Sequence, residues 1–201
     1  MSLHKLTVSQ LRDGLLKKSF SPKEILDDCI QRIQKLDTVL NAFPIKCFEK
    51  AYDQVKKLDQ IKDFDYEKYP LFGIPVGVKD LNDIKGVRTT QGSHLFENYI
   101  PAEDDNIVSS MRENGALFPG KTNVPEHGFG ATTTNDLFGT TNNPYSLGKS
   151  CGASSGGTAV SIASQMVPLA MGSDFAGSLR TPASFCNIVG MRPSVGFVPT
   201  S

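Results

Sequence analysis

The chain has 201 residues, 39% of them hydrophobic, and 21 Lys+Arg balance 21 Asp+Glu. That is enough polypeptide for one globular domain with a core, or at most two small ones, and it excludes collagenous, mucin-like and low-complexity classes. Neutrality leaves no electrostatic footprint for nucleic acid or an anionic membrane, and four Cys without a C-x-x-C pair give neither a disulfide framework nor a zinc site.

The N-terminal residues Met1-Ser2-Leu3-His4-Lys5-Leu6 open no apolar signal region, and no run of roughly 18 apolar residues follows, so a soluble, cytoplasmic chain is expected. Thr7 with Gln10 fits a capping box ahead of the stripe Leu11, Leu15, Leu16. Ser21-Pro22-Lys23-Glu24 is a stronger helix start: a capping Ser, Pro in the first turn and Glu three after the cap. Ile25, Leu26, Cys29, Ile30, Ile33 and Leu36 then recur at helical spacing, and Phe48, Ala51, Tyr52, Val55 and Leu58 mark a third helix. The charge-rich stretch 56–68 reads as a solvated loop.

From residue 71 the pattern changes. Residues 72–80 read as a buried strand ending in the charged pair Lys79-Asp80. A short helix is expected over 104–114, a strand over 116–118, a helix over 158–165 and a strand over 167–171. Helices alternating with short apolar strands predict an α/β layered domain. Residues 1–66 form a helical lead-in and 67–201 the core, within one domain.

Charge is unevenly placed: residues 1–127 hold 37 of the 42 charged residues. Residues 128–158 carry seven Gly, six Thr, four Ser and three Asn, which suits close-packed loops presenting backbone N–H groups. Two motifs here mislead. Residues 115–122 match the phosphate-loop pattern G-x-x-x-x-G-K-T, but a helix precedes Gly115, the interior is Ala-Leu-Phe, and Pro125 leaves little room for the helix that must follow. Gly152-Ala153-Ser154-Ser155-Gly156 matches G-x-S-x-G, but a loop precedes it, and His4, His94 and His127 all lie upstream, in the wrong order for a Ser-Asp-His hydrolase. Those His are too scattered to hold a metal.

What remains is a constellation without histidine: Lys79 at a strand end, Ser154 and Ser155 in a glycine-flanked turn, and Ser178 after a strand. Gly77-Val78-Lys79-Asp80, Gly152-Ala153-Ser154-Ser155-Gly156-Gly157 and the segment from Gly172 to Arg180, continued by Phe185-Cys186 and Gly190-Met191-Arg192-Pro193-Ser194, resemble the amidase signature family of serine amidohydrolases. The resemblance implies a layered α/β fold with a mixed β-sheet core flanked by helices, and a Ser–cis-Ser–Lys triad. Ser178 matches the nucleophile, Ser154 the bridging serine after a cis peptide bond, and Lys79 the base. It implies backbone N–H groups of Phe175, Ala176, Gly177 and Ser178 as the oxyanion hole, with Ser155, Asp174 and Arg180 in support and neither metal nor cofactor. A serine hydroxyl is a weak nucleophile until a neighbour takes its proton, and lysine does so only when neutral, so Lys79 must lie buried away from carboxylates. Asp80 points to the opposite face if the segment is a strand.

Two departures stand out. Phe175 and Ala176 replace the Thr and Gly common in the family, which leans away from the tRNA transamidase and towards a stand-alone amidase. The chain is also shorter than family domains, so it is expected to be the triad-bearing portion, truncated at the C-terminus, with sheet edges and apolar surface left open to aggregation, self-association or partner binding. The implied substrate is a small-molecule amide, cleaved through an acyl-enzyme. The alternatives are a glutamyl-tRNA(Gln) amidotransferase A-type subunit, the case in which a nucleic acid enters, and an inactive fragment.

Overall fold

Two capping boxes set the amino-terminal architecture in the computed structural model, which describes residues 2–61 and 64–198. Thr7 caps α1 (Val8–Leu16) and Ser21 caps α2 (Pro22–Leu40), each bonded reciprocally with the side chain three residues on. α2 ends where Asn41 turns left-handed (φ 52°), and the buried Asp37 carboxylate accepts the amides of Ala42 at 2.7 Å and Phe43 at 2.9 Å. The chain then runs through β1 (Ile45–Lys46) into α3 (Phe48–Leu58).

Next come β2 (Val76–Lys79), α4 (Asn106–Glu113), β3 (Gly120–Thr122), the hairpin of β4 (Thr134–Asn135) and β5 (Gly139–Thr140), α5 (Gly156–Ala163), β6 (Leu169–Met171) and α6 (Arg180–Phe185). The sheet order is β1-β3-β2-β6; β2 runs parallel to both β3 and β6, and β1 is antiparallel to β3. This is the mixed, helix-flanked sheet expected from the sequence. α2 serves two cores. Ile25, Leu26 and Ile30 pack with α1 and β2, whereas Cys29, Ile33 and Leu40 meet Val160 and Met166.

The strand expectations need correction. In 72–80, the amides of Phe72 and Ile74 close turns onto Tyr69 and Leu71, and regular pairing starts at Val76. In 116–118 only Leu117 joins the ladder, because the Phe118 amide is diverted to Gln54 Oε1 at 2.8 Å and Pro119 has no N–H; β3 begins at Gly120. β6 starts two residues later than expected, after Pro168, and the Gly156-Gly157 pair forms the first turn of α5 instead of preceding it. The 56–68 stretch is not simply a solvated loop. Lys56 to Leu58 complete α3, Tyr66 is buried, and Phe64 stacks on Phe72 at 3.9 Å; Lys62 and Asp63 lie outside the described residues. Nor is the charge-poor half uniformly interior: Val189, Met191, Val195 and Phe197 are exposed. Among the described residues no helix is long and apolar enough to cross a membrane.

Candidate active site

β2 and β6 are parallel neighbours, so their carboxyl ends open at the same edge of the sheet, where α/β folds place their sites. Lys79 is the last residue of β2; Gly172 and Ser173 directly follow β6; Ser154 and Ser155 lead into α5. The Lys79 ammonium nitrogen Nζ, fully buried, lies 2.8 Å from Ser154 Oγ, 2.9 Å from Ser155 Oγ and 2.8 Å from Ser173 Oγ. The Ala153–Ser154 peptide is cis. Glycine at 172 permits this approach: a Cβ there would sit 2.8 Å from Ser155 Oγ.

Burial pushes the Lys79 amine down to about 7, with the charge of Asp174 working against the shift. No carboxylate forms an ion pair with Lys79 among the described residues. Its sequence neighbour Asp80 faces the other way and pairs with buried Lys121 at 2.8 Å, also accepting the Thr90 hydroxyl at 2.5 Å; Lys121 donates to Thr89 Oγ1 as well. Lys121 and Thr122 of the apparent phosphate loop are therefore strand residues in the interior, and Thr122 Oγ1 meets Thr158 Oγ1 at 2.7 Å. The helix α4 before Gly115 and the strand containing Lys121 are the reverse of what a phosphate cradle needs.

Ser178 sits in the turn between β6 and α6, partly buried. Its carbonyl accepts the Ser155 amide at 3.1 Å, tying the turn to the serine pair; its hydroxyl makes no hydrogen bond among the described residues. Asp174 organises this turn. Its solvent-inaccessible carboxylate accepts Arg180 Nε and Nη2, each at 3.0 Å, and the amides of Gly177 at 2.8 Å, Leu179 at 3.1 Å and Arg180 at 3.2 Å, with Arg192 Nε at 3.8 Å. The Arg180 bond and these amides hold the Asp174 carboxyl well below the usual carboxylate range. The Gly177 amide is thus committed to Asp174. The amides of Phe175, Ala176 and Ser178 donate no hydrogen bond among the described residues. A groove of about 1180 Å³ opens beside the serines, bounded by Leu169, Met171, Ser173, Ile188 and Met191.

Of the expected residues, Lys79, Ser154 and Ser155 come into hydrogen-bond contact, Asp174 pairs with Arg180 in the adjoining turn, and Ser178 is tied to Ser155 through its carbonyl. Ser173 was missed: a serine directly after the β6 segment, at the strand end parallel to that of Lys79, was the available signal. The Gly177 amide, expected among the oxyanion donors, bonds Asp174 Oδ1 instead. Ser178 does not cap α6, whose flanking residue is Leu179.

A lysine embedded in serine hydroxyls at the ends of parallel strands defines a Ser/Lys class of site, distinct from any His-dependent hydrolase. The comparisons give that class its family. The profile of the family described as Amidase matches residues 24–201, and the chain belongs to that family. It is 40% identical over 198 residues to the A-type subunit of the glutamyl-tRNA(Gln) amidotransferase from Natranaerobius thermophilus, covering 98% of this chain and 40% of that protein. Among solved structures it is similar to a bacterial aryl acylamidase of the amidase signature enzymes (TM-score 0.91, 31% identity, all of this chain and 42% of the other). It also resembles the peptide amidase of Stenotrophomonas maltophilia (TM-score 0.89, 27% identity, 97% of this chain and 41% of the other). The chain spans about 40% of the length of the curated relatives it matches.

Proposed function

We propose that the chain carries the reactive half of a serine amidohydrolase cleaving the C–N bond of a small-molecule amide. The observation that supports this most directly is the buried Lys79 amine, shifted towards neutrality, 2.8 Å from Ser154 Oγ and, among the described residues, with no carboxylate paired to it. In this reading Ser178 attacks the amide carbon. Its proton passes to Ser154 Oγ as the Ser154 proton passes to Lys79 Nζ. The tetrahedral oxyanion meets the amides of Phe175, Ala176 and Ser178, each such donor worth about 2.7–4 kcal/mol in the transition state. Proton return through Ser154 to the leaving nitrogen frees the amine, and water then resolves the acyl-enzyme. Asp174 with Arg180 holds the turn, and Ser155 holds the amine.

A fluorophosphonate reagent tests the assignment. Ser178 is labelled, with a rate that climbs as pH rises through about 7, where the amine loses its proton. Labelling disappears in Ser178→Ala and falls steeply in Lys79→Ala. Folded protein that resists the reagent at every pH would sink the reading and favour a non-catalytic fragment. The 40% identity to an amidotransferase relative supports a second reading, a glutaminase-transamidase component. Glutamine hydrolysis that increases with charged tRNA and a partner protein selects it over the stand-alone amidase.

A further inference from the structure

Counting protons around Lys79 assigns a role to Ser173. A neutral lysine amine has two N–H groups and one lone pair, whereas the ammonium has three donors. Three hydroxyl oxygens surround Nζ at 2.8–2.9 Å. Ser155 donates its own proton to the Ser173 carbonyl at 3.1 Å, so towards the amine it acts as acceptor and takes one N–H. One N–H and the lone pair are left for Ser154 and Ser173. Ser154 is buried, and the amine is the hydrogen-bond partner of its hydroxyl, so its proton goes to the lone pair. Ser173 borders the open groove, which gives its proton another direction and frees its oxygen to accept the second N–H.

We infer that Ser173 is a positioning residue: by accepting an N–H of the neutral amine it turns the lone pair of Lys79 onto Ser154. This rests on the amidohydrolase reading above. The Ser173 backbone is suited to the task, because its N–H and C=O both bond Ser155 Oγ (3.3 and 3.1 Å), which fixes the two acceptors relative to each other. On acylation the Ser154 proton forms the third N–H bond of Lys79 while Ser154 takes the proton of Ser178; Ser173 remains an acceptor throughout. Charged groups near the amine have partners of their own; Asp105, bordering the same groove, accepts from Asn82 Nδ2 and the Asp83 amide. Asp174 acts on it directly, Arg180 and Arg192 sit on Asp174, Asp80 pairs with Lys121, Glu126 accepts from Ser93 at 2.6 Å, His127 faces Gln91, and α5 carries no titratable side chain.

The test compares Ser173→Ala with Ser173→Thr by two readouts. One is the pH profile of fluorophosphonate labelling. The other is the pH titration of the Lys79 ¹³Cε resonance, assigned by its loss in Lys79→Arg. Ser173→Ala is expected to slow labelling about tenfold or more on the plateau. It is also expected to move the lysine titration to lower pH, because the ammonium loses an acceptor. Ser173→Thr restores both. An unmoved titration with labelling within about twofold of the parent overturns the inference. If Ser173→Ala fails to fold, Ser173→Cys, a weak acceptor of similar size, is held to the same outcomes. The resonance reads the amine without any chemistry at Ser178, so failure of Ser173 is distinguished from failure of the amidohydrolase reading.

Discussion

Lys79 and Asp80 are consecutive at the end of β2, yet one is surrounded by hydroxyls and the other by a cation. Strand alternation makes this separation, and it has a thermodynamic signature. The Lys79 amine titrates near 7 in the fold, against about 10.4 in an unfolded chain. Between those values the unfolded chain holds the additional proton, so the penalty of burying Lys79, fully felt below pH 7, shrinks as pH rises towards 10. The urea midpoint of the parent is therefore expected to gain on that of Lys79→Met across this window; a constant difference between the two contradicts the shifted amine. Removing the partner of Asp80 has a different consequence. Lys121→Met strands a buried carboxylate and is expected to cost about 3–5 kcal/mol in chemical denaturation. At this scale the sequence was informative where motif spacing carried geometry, as in the meeting of Lys79 with Ser154. It was silent on Ser173 and on the diversion of the Gly177 amide, because both depend on which strand ends and turn carbonyls meet in space.

Helices were legible from their caps and periodicity, strands much less so. Ser21 and Glu24 exchange bonds of 3.2 and 2.8 Å at the start of α2 as their spacing implied. Because α2 feeds both cores, Ser21→Ala is expected to lower global stability by about 1 kcal/mol, read from the denaturation midpoint. The strands are only two to four residues long, and their limits follow from single amides: Phe118 turning to Gln54, and prolines at 119 and 168 with nothing to donate. No period-2 pattern exposes such limits. The start of α5 is constrained more tightly than any propensity suggests. A Cβ on Gly157 would lie 2.4 Å from the Asn123 nitrogen and 2.8 Å from the Ala42 oxygen, both backbone. Gly157→Ala is accordingly expected to cost more than loss of the Ser21 cap, about 1–3 kcal/mol, by the same measurement.

For the molecule as a whole, composition and charge asymmetry pointed to an α/β layer with a backbone-dense, charge-poor half, and the sheet and its flanking helices fit that description. Sheet edges and apolar surface were expected to stand open, and such a face lies beside β6, the edge strand, where Val189, Met191, Val195 and Phe197 are exposed next to the large groove. Folded protein is expected to enhance the fluorescence of an apolar dye such as anilinonaphthalene sulfonate, and Val189→Lys to reduce that signal without a change in melting temperature. The sequence separation of 94 from Lys79 to Ser173 carries one last implication. Helical turns close over short loops, whereas the β2–β6 register joins remote stretches of chain and is the slower event. If the serines react as proposed, reagent uptake at the cluster is expected to serve as a clock for the most distant pairing in the sheet. In the amidohydrolase reading, any condition that unzips β6 is expected to abolish labelling while far-ultraviolet dichroism, dominated by the amino-terminal helices, barely registers the loss.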